Sequence, residues 1–340
     1  MKVFKIATTV FLGILLLTNP LSTVFAKSDT VTLKYGAAMG SAHPFSMADQ
    51  AWIQKIEKET KGKVRIQPFW GSILIKQNEA IEQVKKGVCD IAFIVPGYAP
   101  AGFPVAKSMM GLFYGVENND ASLEIYQKVY DQFSDVSGEF ADIKVLAICA
   151  AAPYQLLTGK KPVRTLADLK GLRIKCPSAF TKAFQELGVE GVLMPMSEAY
   201  VSLEKGLIDG VFAPYETLKS MRFAEVAKYV TYDIGCISAP FPKRAMNLKV
   251  WNSLPADIQK VFEANIKWWG LEELRQVNAS EQAGIDLGKQ HGVEFIQLPK
   301  QELKKLMDIM EKQAIEEAQK LDAKGIKGTQ IFNGIRSLVQ

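Results

Sequence analysis

Two histidines, four cysteines and one Asp-Gly step are the residues whose chemistry stands out, and none falls into a catalytic pattern. His43 and His291 are the only imidazoles, which leaves few candidates for a metal centre or a nucleophile–base pair. No GxGxxG, GxxxxGKS/T, GxSxG or HExxH motif occurs. His291 ends a predicted helix, where a cation complements the helix dipole. Asp209, ahead of Gly210 at a strand end, reads as a catalytic carboxylate or as a turn residue, and the turn is the commoner role. Cys89, Cys149, Cys176 and Cys236 include no CxxC pair. Their even number permits disulfides in an exported chain, but each lies in or beside an apolar run and reads as a small buried side chain. No metal and no cofactor is expected, and an exported enzyme is a weak reading.

The elements that must position these residues alternate between strand and helix patterns. VTLKYG (31–36), KVRIQPFW (63–70), CDIAFIV (89–95), IKVLAICAA (143–151), GLRIKCP (171–177), VEGVLMP (189–195) and LIDGVFAP (207–214) read as strands. Helical patterns over 44–61, 78–86 and from about 179 and 198 separate them, which predicts mixed or parallel α/β sheets flanked by helices. A proline-free helical pattern runs from Ala256 to Gln290, as one long helix or as two split at Gly270. One helix of that length would reach roughly 50 Å and cross both halves of the molecule. A strand at 293–299 and a charged amphipathic helix at 301–324 end the predicted pattern.

Composition fits a packed protein of two lobes. Of 340 residues, 48% are hydrophobic and 23% charged, enough apolar surface to exclude a disordered chain. The 41 basic and 36 acidic residues give a net charge of +5 with no basic stripe, so nucleic acid is not an expected partner. A mean hydropathy of +0.03 argues against a polytopic membrane protein. The chain opens with Lys2 and Lys5, an apolar run over 6–17, and Val24-Phe25-Ala26, which together read as a cleavable secretory signal over 1–26. The mature chain is then expected in the periplasm, with no stable membrane insertion.

Several blocks recur in an informative order: GSAHP (40–44), RIQPFWGSIL (65–74), AIEQVKKGVCDIAF (80–93), LADLKGLRIKCP (166–177), VLMPMSEAYVSLEKGLIDGVFAP (192–214) and WNSLPADIQKVFEAN (251–265). In this order the sequence resembles the DctP-type solute-binding proteins of tripartite ATP-independent periplasmic (TRAP) transporters. The resemblance implies a two-lobe periplasmic binding protein, type II-like, with a long helix spanning both lobes. Lobe I is expected over 27–152 and 239–278, and lobe II over 153–238 and 279–340. It also implies a small organic anion as ligand and a TRAP membrane permease as partner.

The resemblance carries residues over one at a time. The family's anion-pairing arginine falls at Lys175, with Arg173 two residues earlier on the same strand face. A lysine is a point-charge donor without the guanidinium fork, so a bidentate grip is not expected. The family's Glu-Asn-Pro after Asp-Gly is replaced by Phe212, Ala213 and Pro214, and Tyr154 with Gln155 stand where relatives carry another arginine. Tyr98, Trp70, Tyr154 and Tyr215 are the expected aromatic lining, Phe212 either lines the pocket or belongs to the core, and His43 either contacts ligand or caps the helix starting at Pro44. A cation in an aromatic site predicts an apolar or aromatic monocarboxylate or 2-oxo acid. A C4-dicarboxylate and a ligand-sensing role are the alternatives.

Overall fold

The computed structural model describes residues 30–116, 118–150, 152–176, 178–194, 196–237 and 241–339. The predicted signal over 1–26 lies outside them. Among the described residues eleven strands form two sheets. The first, in order β2-β1-β3-β10-β4, contains β1 (Val31–Gly36), β2 (Val64–Phe69), β3 (Ile91–Phe93), β4 (Ile143–Cys149) and β10 (Phe241–Asn247). The second, in order β11-β9-β5-β8-β6-β7, contains β5 (Pro153–Thr158), β6 (Arg173–Lys175), β7 (Glu190–Val192), β8 (Gly210–Ala213), β9 (Tyr229–Ile237) and β11 (Glu294–Gln297). Helices α1 (Pro44–Glu59), α2 (Ala80–Lys85), α3 (Pro104–Leu112), α4 (Asn119–Gln132), α5 (Ser134–Ser137), α6 (Ser178–Glu186), α7 (Met196–Glu204) and α8 (Thr217–Ser220) fall between strands. After β10 come α9 (Leu248–Ser253), α10 (Ala256–Ala264), α11 (Ile266–Gln290), then α12 (Lys300–Asp322) and α13 (Gly328–Val339) after β11.

Strand direction decides where a ligand can sit. β1 runs parallel to β2 and β3, and β10 runs antiparallel to β3 and β4, so β4 ends on the same edge as β1, β2 and β3. In the second sheet β6, β7 and β8 are parallel, whereas β5 starts where β8 ends. β4 ends at Cys149 and β5 starts at Pro153, and β9 ends at Ile237 and β10 starts at Phe241. Both short crossovers therefore join the carboxyl-end edge of one sheet to that of the other. Open α/β sheets bind ligands at this edge, because loops and helix starts collect there.

Helix α11 spans the junction. It packs on α1 and β4 of the first half and on α8 of the second. The predicted 256–290 helix is broken, but at Asn265 and not at Gly270. Asn265 closes α10 and opens α11, its Nδ2 donating to Glu59 Oε2 at 2.6 Å and to the Val261 carbonyl at 2.9 Å. Gly270 lies inside α11, where a Cβ would sit 2.4 Å from the Ile148 carbonyl oxygen of β4. Gly284 does the same against the second half, its notional Cβ lying 2.0 Å from the Tyr215 carbonyl oxygen. The glycines are sites of backbone contact and not of helix rupture. The sequence patterns gave no element to 104–132. There α3 and α4 pack against α12 and α13, whose apolar faces share one core with Ile174, Phe180 and Phe212.

Candidate ligand-binding site

Lys175 is the last residue of β6, paired in register with Val211 of β8. Period two then sorts the side chains of this sheet. Ile174, Cys176, Leu156 and Phe212 belong to the core under α6, whereas Val211, Ala213 and Leu157 belong to the opposite face. Lys175 shares that opposite face. It is half-buried, and among the described residues no carboxylate lies within ion-pair distance. Burial lowers its pKa, because a lysine stripped of water holds its proton less firmly.

Arg173 has a different task. Its Nε and Nη2 grip Asp209 at 3.0 and 2.9 Å, and Nη2 also donates to the Gly206 carbonyl at 2.8 Å. The Arg173 N–H donates to the same carboxylate at 2.9 Å. Asp209 precedes β8, so parallel pairing brings it beside the start of β6, away from the carboxyl end. This bidentate pair sews the two strands together, and Arg173 is not presented to ligand.

Phe212 takes the core alternative. It is 1% exposed and its ring centroid lies 4.4 Å from that of Phe184, inside the core beneath α6. Its neighbour in register, Leu156, points the same way. Tyr154 is half-buried with its ring edge toward Phe180, at 6.3 Å. Tyr215, in the loop after β8, is half-buried with its ring 6.0 Å from Phe295. Burial raises its phenol pKa, with Asp233 and Glu281 adding to the effect.

The carboxyl-end loops of the first sheet form a rim of their own. His43, Trp70 and Tyr98 follow the carboxyl ends of β1, β2 and β3 respectively. The first two loops are bonded together, with the Gly71 N–H on the Met39 carbonyl and the Ser72 N–H on the Ala37 carbonyl. Trp70 stands edge-on to Tyr35, and Tyr98 is 58% exposed at the end of a single helical turn. His43 caps α1, its Nδ1 accepting the Phe45 N–H at 3.3 Å. Burial, with Lys243 and Arg244 nearby and Glu273 opposing, drives its pKa down to about 4. The ring is thus neutral, and a capping Nδ1 leaves Nε2 as the protonated nitrogen.

Behind this rim lies a buried ion cluster. Arg244 Nε donates to Asp49 Oδ1 at 2.8 Å and its Nη1 reaches Glu273 Oε2 at 2.6 Å. Lys243 Nζ donates to Glu273 Oε1 at 2.8 Å and to the Ala150 carbonyl, beside the crossover, at 2.9 Å. Tyr35 and Trp269 also donate to Asp49. Each charge here is paired, so the cluster fixes α1, β10 and α11 and does not offer a cation to ligand.

Gln155 is the residue that sequence reading placed beside Tyr154 without assigning. It is 6% exposed, and its Oε1 has no hydrogen-bond partner among the described residues. Its register partner is Ala213, which has no polar side chain. Gln155 and Lys175 leave the same sheet face about 12 Å apart, two strand spacings and one two-residue step. Alternation counted from Leu157 would have placed it there. No cluster of three or more metal-ligating side chains occurs among the described residues.

Residues 35–320 match the DctP family of bacterial extracellular solute-binding proteins, family 7. The chain belongs to this family. It is a DctP-type TRAP solute-binding protein, of a family built for transport and extracytoplasmic in location. A TRAP solute-binding protein from Rhodoferax ferrireducens, solved in complex with copurified benzoate, is 26% identical with a TM-score of 0.81, covering 91% of this chain and 98% of that one. The monocarboxylate 2-oxoacid-binding periplasmic protein of Nostoc is 23% identical over 66% of this chain and 62% of its own. The 2,3-diketo-L-gulonate-binding periplasmic protein of Escherichia coli is 25% identical over 78% of this chain and 80% of its own. Among the described residues no helix is long and apolar enough to cross a membrane.

Proposed function

We propose that this DctP protein captures a small monocarboxylate or 2-oxo acid with an aromatic or branched apolar body. The observation that carries the reading is Lys175, a half-buried ammonium at the carboxyl end of β6 with no carboxylate partner among the described residues. The ligand carboxylate supplies the missing charge, and Trp70 and Tyr98, at the carboxyl ends of β2 and β3, supply apolar surface. Gln155 offers one amide, which accepts from a ligand hydroxyl or, turned by half, donates to an oxo group. A C4-dicarboxylate is disfavoured because Arg173, the nearest second cation on the strand, is committed to Asp209. A sugar acid would leave hydroxyls unpaired against apolar side chains, at about 1–3 kcal/mol each. The lobes close on the ligand across the crossovers, and the closed form is handed to a membrane permease after export and removal of residues 1–26.

Thermal-shift screening of benzoate, phenylpyruvate, 4-methyl-2-oxopentanoate, succinate and D-glucuronate tests the ligand class. Specific ligands at 100 times Kd add about 2.7 kcal/mol of stability by linkage. The largest shift is expected from benzoate or a 2-oxo acid. A largest shift from D-glucuronate would overturn the reading, and one from succinate would support the dicarboxylate alternative.

A further inference from the structure

Helix α11 carries a second inward carboxyl, Glu281, where it passes the loop that follows β8. Glu281 Oε1 accepts the Glu216 N–H at 2.8 Å, and Oε2 accepts the Tyr215 N–H at 3.3 Å. One turn later Gly284 lets helix and loop backbones touch at Tyr215. From the loop, the buried Glu216 faces Glu281 and bonds the Ser220 hydroxyl, and Tyr215 stands beside it with Tyr232 and Asp233 of β9 behind. Neither Glu281 nor Glu216 forms an ion pair among the described residues. Two carboxyls therefore meet, without a cation, at the loop that leaves the ligand site.

We propose that Glu281 is the positioning residue that fixes residues 214–216 against the spanning helix, and that its protonation state sets how firmly the loop is held. This rests on the site assignment above, since the loop begins at Ala213 beside Gln155. Burial raises Glu281 to about 8, with Glu216 adding to it and the two N–H bonds opposing. Burial raises Glu216 as well. Deprotonation places a charge opposite Glu216, and the loop loosens to hydrate it. The folded protein then binds more protons than the unfolded chain, so stability declines from the ordinary glutamate range up to about pH 8 and is level above.

Hydrogen–deuterium exchange over residues 211–218 of the ligand-free protein, corrected for intrinsic rates, tests this between pH 6.5 and 9. Wild type is expected to lose protection by about threefold or more across this range, as a locally weakened segment opens more often. Glu281→Gln mimics the neutral acid and is expected to keep the pH 6.5 protection throughout. An identical pH response in the two proteins would overturn the proposal. In the ligand arm, benzoate affinity should fall more steeply with pH in wild type than in Glu281→Gln, the Lys175 contribution being common to both. Failure of benzoate to bind wild type would contradict the ligand reading, while the ligand-free exchange still decides on Glu281.

Discussion

At the residue scale, one strand holds two cations with opposite fates. Arg173 and Lys175 share a face, yet Asp209 takes the first and nothing among the described residues takes the second. Spacing showed the shared face but not the partner, because Asp209 reaches Arg173 only through the parallel pairing of β6 and β8. Phe212 stays open between pocket and core in the sequence for a related reason: period two fixes alternation, but not which face is the core. Gln155 was visible as a polar residue in an apolar strand, and its lack of a partner needed the fold. Two outcomes follow. Arg173→Met should lower Tm modestly and leave ligand affinity within about twofold, since a solvent-screened pair contributes little and Asp209, not ligand, takes this guanidinium; differential scanning fluorimetry and calorimetry separate the two. Burial lowers the Lys175 pKa, and an anion restores it, so ligand binding takes up protons at alkaline pH. Calorimetry in buffers of different ionisation enthalpy should show proton uptake, setting in below the pH at which an ordinary lysine discharges.

At the element scale, α11 is held to each half by a carboxyl and by a glycine. Glu273 with Gly270 serves β10 and β4, and Glu281 with Gly284 serves the loop after β8. The sequence signalled the length of this helical stretch correctly but not its break, since Gly270 is the weaker helix former and Asn265 only acts through Glu59 and Val261. Gly270→Ala and Gly284→Ala should each cost about 1–3 kcal/mol, as an added methyl forces backbones apart, with Tm falling by several degrees in a thermal melt. Arg244→Met should cost about 3–5 kcal/mol, because Asp49 and Glu273 would stay buried without their shared partner. Chemical denaturation measures that loss; a cost below about 1 kcal/mol would show that the cluster relaxes on losing its arginine.

At the scale of the whole molecule, strand direction carries the argument. Alternating strand and helix patterns made two α/β sheets legible, but the edges that face each other emerge only from pairing, through β4–β5 and β9–β10. Ligand contacts from both rims favour a closed arrangement. Small-angle scattering should therefore show a smaller radius of gyration on adding saturating benzoate. The claim on which the rest depends is that Lys175 anchors a lone carboxylate in an otherwise apolar cleft. Calorimetric titration of benzoate into wild type and Lys175→Met tests it most directly. Loss of a charge-assisted contact worth about 1.5–3 kcal/mol predicts affinity weakened roughly 10- to 100-fold. An affinity within twofold of wild type, with Tm unchanged, would contradict it.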